Sequence, residues 1–288
     1  MKMNRATETK RRKIPLAPMN IIIIIAVIMA ASSCEEPNVE PQIAQPESGT
    51  TTSGTTSAMT TSNLVYEETV EGPSPFSTAH DWDVGDWDYA LRFVEYPRFR
   101  GVRSARFEIR KDQPLVADGK RSEITIIKTA EEGMAKEMWY SFAVMFPANG
   151  YEYDRTREIV NQWFQNGSPA TSLRTKADRI LLESGNSLSN RKQYDIAPIV
   201  KNQWHKIVMH FIHSYGTDGL IELWYDGIKK LTIKGGNMYD DILPKWKIGL
   251  YKASFKDGTS DVSRRVVFFD NVRVGNATST YSTMLPTM

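Results

Sequence analysis

Lys245-Trp246-Lys247-Ile248-Gly249-Leu250-Tyr251 alternates at strand period. A strand sends successive side chains to opposite faces, so Trp246, Ile248 and Leu250 share one face and Lys247, Gly249 and Tyr251 the other. The first set is what a core takes up. The second puts an ammonium, a bare backbone and a phenol side by side, a surface suited to gripping an anion and moving a proton.

The same short period recurs outward along the chain. Ala105–Arg110, Glu137–Val144, Ile207–Ile212, Leu220–Tyr225 and Val266–Val272 all read as strands, with Asp226-Gly227 and Asp257-Gly258 as turn signals. No segment carries a long run of helical period. About a dozen strands in some 225 residues predict an all-β fold. The expected form is a two-sheet antiparallel sandwich or β-jelly roll, concanavalin-like, spanning residues 65–288, whose concave face is the natural groove for an extended chain-like ligand.

Residues 1–33 read as an export signal. Lys2, Arg5, Lys10, Arg11, Arg12 and Lys13 precede the apolar run Ile21–Ala31, which is short for a membrane span. The run ends in Ala31-Ser32-Ser33-Cys34, resembling the lipobox of bacterial lipoproteins, with Cys34 as the lipidated residue and the only cysteine. Residues 34–64 are rich in Pro, Glu, Gln, Thr and Ser and read as a flexible tether. Glu35 and Glu36 resemble the acidic export signals of surface lipoproteins in Bacteroidetes. The implied location is the outer membrane or cell surface, with membrane contact through the lipid alone. The leader holds six basic residues and one acidic, leaving 30 basic against 33 acidic beyond it, net −3. Nucleic-acid binding is therefore not expected, and a monomer is.

Two further segments bear on chemistry. In Gly119-Lys120-Arg121-Ser122-Glu123-Ile124, alternation places Arg121 and Glu123 together, away from Ile124 and Ile126. In Glu158-Ile159-Val160-Asn161-Gln162-Trp163-Phe164, Gln162 interrupts an apolar run. In chain order these and the opening stretch resemble the R-S/T-E-L-R, Q-I-H and Y-F-K-A-G-x-Y motifs of jelly-roll alginate lyases. The wider sequence from Arg106 to Val274 is similar to the related glucuronan-lyase and heparin-lyase-like group.

The resemblance implies β-elimination of a uronic-acid polysaccharide of glucuronan, ulvan or alginate type, without a catalytic cofactor. That reaction requires the uronate carboxylate to be neutralised, a base for the C5 proton and an acid for the departing O4. Arg121 and Gln162 suit the first task, and the family places a tyrosine at the position of Tyr251 for the others. Close cations, Lys247, Lys252 or Arg121, favour phenolate, and Glu123 orients Arg121. Trp163, Tyr194 and Arg174 are expected along the substrate. Phe164 stands where the family motif has its histidine, so either Tyr251 is both base and acid or the base is His210 or Lys120. Thr125 replaces the second arginine of the first motif.

Other classes fit less well. Asp81–Asp88 fails as a calcium loop because Gly85 comes one place early and Arg92 occupies the final glutamate position. A structural Ca²⁺ elsewhere is left open, with Asp270 as its candidate; no catalytic metal is expected. A glycoside hydrolase on this fold needs paired carboxylates, and no E-x-D-x-x-E is present. The main rival is a non-catalytic glycan-binding lipoprotein, using Trp163, Tyr194, Trp224 and Trp246 as stacking platforms.

Overall fold

Fifteen strands make up nearly all the regular structure of the computed structural model, which describes residues 63–288. In chain order they are β1 (Leu64–Glu68), β2 (Asp81–Asp83), β3 (Leu91–Val94), β4 (Ser104–Arg110), β5 (Arg121–Ile127), β6 (Glu137–Met145), β7 (Glu158–Gln165) and β8 (Ser168–Lys176). There follow β9 (Arg179–Ser184), β10 (Lys192–Pro198), β11 (Trp204–Ile212), β12 (Leu220–Tyr225), β13 (Ile228–Lys234), β14 (Lys245–Tyr251) and β15 (Arg264–Gly275). A single-turn helix, α1 (Tyr281–Met284), closes the chain. The expected signal and Cys34 lie outside the described residues, as does nearly all of the tether. Leu64, the last residue assigned to the tether, already pairs with Gly275.

Two antiparallel sheets result, as expected of a jelly roll. One runs β13-β12-β11-β6-β15-β4-β3, with β1 added to β15; the other runs β10-β9-β8-β7-β14-β5-β2. β14 thus lies between β5 and β7, and the three segments that carry the motif resemblance are adjacent strands. Trp246, Ile248 and Leu250 are fully buried, each aliphatic one contributing roughly 1.5–3 kcal/mol.

Between the sheets, Tyr140 of β6 meets Trp246 at 4.9 Å and Trp163 of β7 at 5.2 Å, and Trp163 stacks on Phe211 of β11 at 4.2 Å. These rings form the centre of the core. Asp226-Gly227 makes the β12–β13 hairpin with positive φ at both residues. Asp257-Gly258 does not close a hairpin, because β14 and β15 belong to different sheets.

Candidate active site

On the outer face of the seven-stranded sheet, strand pairing gathers Asp83 of β2, Arg121 and Glu123 of β5, Lys247 and Tyr251 of β14, and Gln162 of β7. Asp83 lies opposite Glu123, Arg121 opposite Tyr251, and Lys247 opposite Gln162. Arg121 Nη1 lies 3.3 Å from Glu123 Oε2 and 3.8 Å from Asp83 Oδ2. Gln162 Nε2 donates to Glu123 Oε1, and the Lys247 ammonium donates to Asp83. Two cations and two carboxylates therefore balance.

Tyr251 completes the site from the edge of this cluster. The Arg121 guanidinium carbon lies 4.7 Å from its ring centroid, within cation–π range. The phenol is half-buried, and its hydroxyl has no hydrogen-bond partner among the described residues. Two glycines make this possible. A Cβ at Gly119 would lie 2.5 Å from the Tyr251 ring and 2.8 Å from Arg121 Nη2. Gly249 has φ +126° at a register shift between β14 and β7, where a Cβ would come 2.2 Å from the Ser122 carbonyl oxygen. Only glycine fits there, and the bulge sets how Tyr251 leaves the strand.

Burial divides the cluster into a back and a front. Glu123, Lys247 and Gln162 are 2% exposed or less, whereas the Arg121 and Asp83 side chains keep 13% and 19%. Burial pushes the Glu123 carboxyl above its ordinary range, opposed by Lys247, Arg121 and the Gln162 amide. Arg121 Nε is buried without a partner. The front thus offers a guanidinium and a phenol, held from behind by a carboxylate that itself resists ionisation.

Several expected residues sit elsewhere. His210 of β11 lies on the outer face of the other sheet, 4.3 Å from and stacked on Trp139, between Glu137 and Glu222 at 3.0 Å each. It cannot reach a sugar at Tyr251. The Lys252 ammonium is fully buried on Glu158 and Asp154, so it is a structural ion and no substrate ligand. Trp163 is likewise core, and Tyr194 packs against the same cluster. Lys120 gives its ammonium to the Gln113 carbonyl. Lys247 and Gln162 are closed off by Asp83 and Glu123 and act through them. Arg174 does lie on the site's face, paired with Glu183 at 3.1 Å.

Asp270, the calcium candidate, uses its carboxylate to accept backbone N–H groups of Phe99, Arg100 and Asn271, and burial raises its pKa to about 6. The residue the sequence reading missed is Asp83. Its β2 strand has only three residues, too few for a periodic signal. Phe164, in the place of the motif histidine, has the Lys245 ammonium 5.0 Å and the Lys247 ammonium 5.7 Å from its ring centroid.

A family model described as polysaccharide lyase matches residues 51–273. The chain belongs to the polysaccharide lyase family. No curated protein matches it. Among solved structures, it is similar to an endo-β-1,4-glucuronan lyase from the fungus Trichoderma reesei, with 19% identity, 73% of this chain and 99% of that one covered, and a TM-score of 0.56. It is also similar to the binding domain of Paraclostridial Mosquitocidal Protein 1, with 12% identity, coverage of 77% and 51%, and a TM-score of 0.52. At such identities the likeness establishes the sandwich fold alone, which evidently serves binding domains as well as lyases. The family match selects the lyase.

Proposed function

We propose that this polysaccharide lyase cleaves a uronic-acid polymer of glucuronan, ulvan or alginate type by β-elimination, with Tyr251 as both base and acid. The observation that carries the reading is the free Tyr251 hydroxyl beside the exposed end of Arg121, on the sheet face where the three motif strands adjoin.

The chemistry follows from the geometry. The C5 proton becomes acidic enough to leave only when the neighbouring carboxylate is neutralised. Arg121 is the cation at the front of the cluster, and Glu123, with Gln162 and Lys247 behind it, fixes the guanidinium. Tyr251 as phenolate takes the C5 proton; as phenol it returns a proton to O4 as the C4–O4 bond breaks. The products are an unsaturated uronide at the new non-reducing end of one fragment and a new reducing end on the other, which keeps O4. Phe164 in the histidine position supports a single-tyrosine mechanism. A lipid on Cys34 would hold the enzyme at the outer membrane or cell surface, a part of the proposal that rests on the leader sequence.

Ultraviolet absorbance of the conjugated product, followed on a panel of uronate polymers, tests the reading. Tyr251→Phe keeps the ring on Arg121 and removes the hydroxyl; turnover should fall by about 10² or more with the melting temperature unchanged. Near wild-type turnover in that variant removes Tyr251 from the chemistry. Binding without any new chain end would favour the glycan-binding module.

A further inference from the structure

Three arginines converge on one carboxylate, Glu183 of β9, on the same outer face as Tyr251. Arg157 Nη1 donates to Glu183 Oε2 at 2.8 Å, while Arg174 Nη2 and Arg191 Nη1 each lie 3.1 Å from Oε1. Glu183 and Arg174 are nearly closed to solvent; the Arg191 side chain is 19% and that of Arg157 53% exposed. The group carries a net charge of +2. One arginine is enough to neutralise a buried glutamate, and the second and third repel it and each other. Burial, with Arg157 and Arg191 alongside, lowers the Arg174 pKa to about 10 against the pull of Glu183. Arg191 Nε is buried and unpartnered. An excess of converging cations with an unfilled donor is a poor device for stability and a good one for holding an oxyanion.

Strand register places the group relative to the chemistry. Glu183 pairs with Ser172, Ser172 with Gln162, and Gln162 with Lys247, so all face the same way. Arg174 pairs with Ile159, which pairs with Tyr251. At about 4.8 Å per strand, the arginines lie about 10–14 Å across the sheet from Tyr251. A polymer crossing the strands at Tyr251 would reach them with another sugar of the same chain.

We propose that Arg157, Arg174 and Arg191 form a second anion subsite of this enzyme, taking an oxyanion, carboxylate or sulfate ester, on a sugar remote from the cleaved linkage. The inference rests on the reading of this face as the path of an anionic polysaccharide. In the sequence Arg155, Arg157, Arg174, Arg179 and Arg191 are separate candidates for sulfate groups; what the fold adds is the gathering of three of them, Arg157, Arg174 and Arg191, about one acid.

Binding, read separately from turnover, decides it. Calorimetric titration at low salt would compare wild type with the double variant Arg157→Gln, Arg191→Gln, which keeps the buried Arg174–Glu183 pair and hence the fold. The probes are polyglucuronate and chemically sulfated polyglucuronate. The double variant should bind about tenfold more weakly, with the difference shrinking near 1 M salt. Weakening on both polymers identifies the carboxylate as the ligand; weakening on the sulfated polymer alone identifies the sulfate ester. Arg155→Gln, which removes an exposed arginine paired with Asp261 outside the group, should bind as wild type does. Equal weakening in Arg155→Gln, unchanged affinity in the double variant, or no binding of either polymer by wild type overturns the subsite. A wild type that binds both polymers and cleaves neither would exclude glucuronan as the substrate while leaving this comparison intact, and one that cleaves no polymer of the uronate panel would overturn the proposed reaction.

Discussion

Lys247 and Lys252 stand five residues apart, and each belongs to a cluster of two acids and two bases, yet the clusters do opposite things. Around Lys252 the charges are sealed. Lys252, Arg265, Asp154 and Glu158 are 3% exposed or less, and Thr156, Thr175 and Ser260 add hydrogen bonds to the carboxylates. Burial alone would raise the Asp154 carboxyl, but Ser260, Thr156 and Lys252 bring it down to about 2. Around Lys247 the arithmetic of charge is the same, but Arg121 and Asp83 open to solvent, Glu123 is pushed up and Arg121 Nε has neither a hydrogen bond nor an ion pair, whereas Arg265 Nε, also without a hydrogen bond, lies 3.0 Å from Glu158 Oε1. An ion cluster satisfied from within fixes a backbone. One left short of an acceptor, at a surface, is prepared for an anion from outside.

The sharpest way to break the contrast is Lys252→Met. It leaves Asp154 and Glu158 facing Arg265 alone in a closed site, a change expected to cost about 3–5 kcal/mol of stability in urea unfolding. Activity should follow the folded fraction. If stability holds and turnover per folded molecule collapses instead, Lys252 belongs with the site after all.

Arg121→Ala should do the reverse. Turnover should fall by roughly 10²–10³ with stability lowered by about 1–3 kcal/mol, less than for Lys252, because Glu123 keeps the Gln162 amide and Asp83 keeps Lys247 and some solvent. A methyl-esterified substrate should suffer less, since its carboxyl is already neutral. Equal losses on free and esterified polymer would show that Arg121 does not act on the carboxylate.

A smaller effect separates the clusters by pH. The Asp154 carboxyl falls from its ordinary 3.8 to about 2 in the fold. Its stabilising contribution is therefore complete above about pH 4 and is lost as pH drops toward 2. Asp154→Asn should remove that part of the acid slope of stability. An unaltered slope would mean that the sealed cluster does not hold its proton balance in this way.

What the sequence made legible was local. Alternation in Lys245–Tyr251 assigned both faces of β14 correctly, and the all-β class followed from repeated short strands. The same rule, applied across Gln162 and Trp163, sends them to opposite faces; grouping both as ligands overlooked it. Lys252 was misread because it lies one residue past β14, where the chain turns into the 3₁₀ segment Ala253–Phe255 and alternation no longer applies. Asp83 comes from a three-residue edge strand, and the convergence of Arg157 and Arg191 on Glu183 from connections, where side-chain direction is set by tertiary contacts. Sheet membership was beyond reach for the same reason, since β11 pairs with β6 some sixty to seventy-five residues earlier.

That last point decides the smallest of the expected effects. The period of β11 correctly separates His210 from Ile207, Met209 and Phe211, which face the core, but period alone does not say which of two outer faces the histidine occupies. Pairing with β6 and β12 puts it on the eight-stranded sheet, stacked on Trp139 and hydrogen-bonded to Glu137 and Glu222. The whole aromatic core then separates it from Tyr251. His210→Asn should accordingly lower stability by about 1 kcal/mol through the lost stack and hydrogen bonds, and leave kcat and the pH profile of cleavage as in wild type. A variant that folds, binds uronate oligomers and fails to cleave them would place the base on the wrong side of the sandwich, and with it the assignment of both proton transfers to Tyr251.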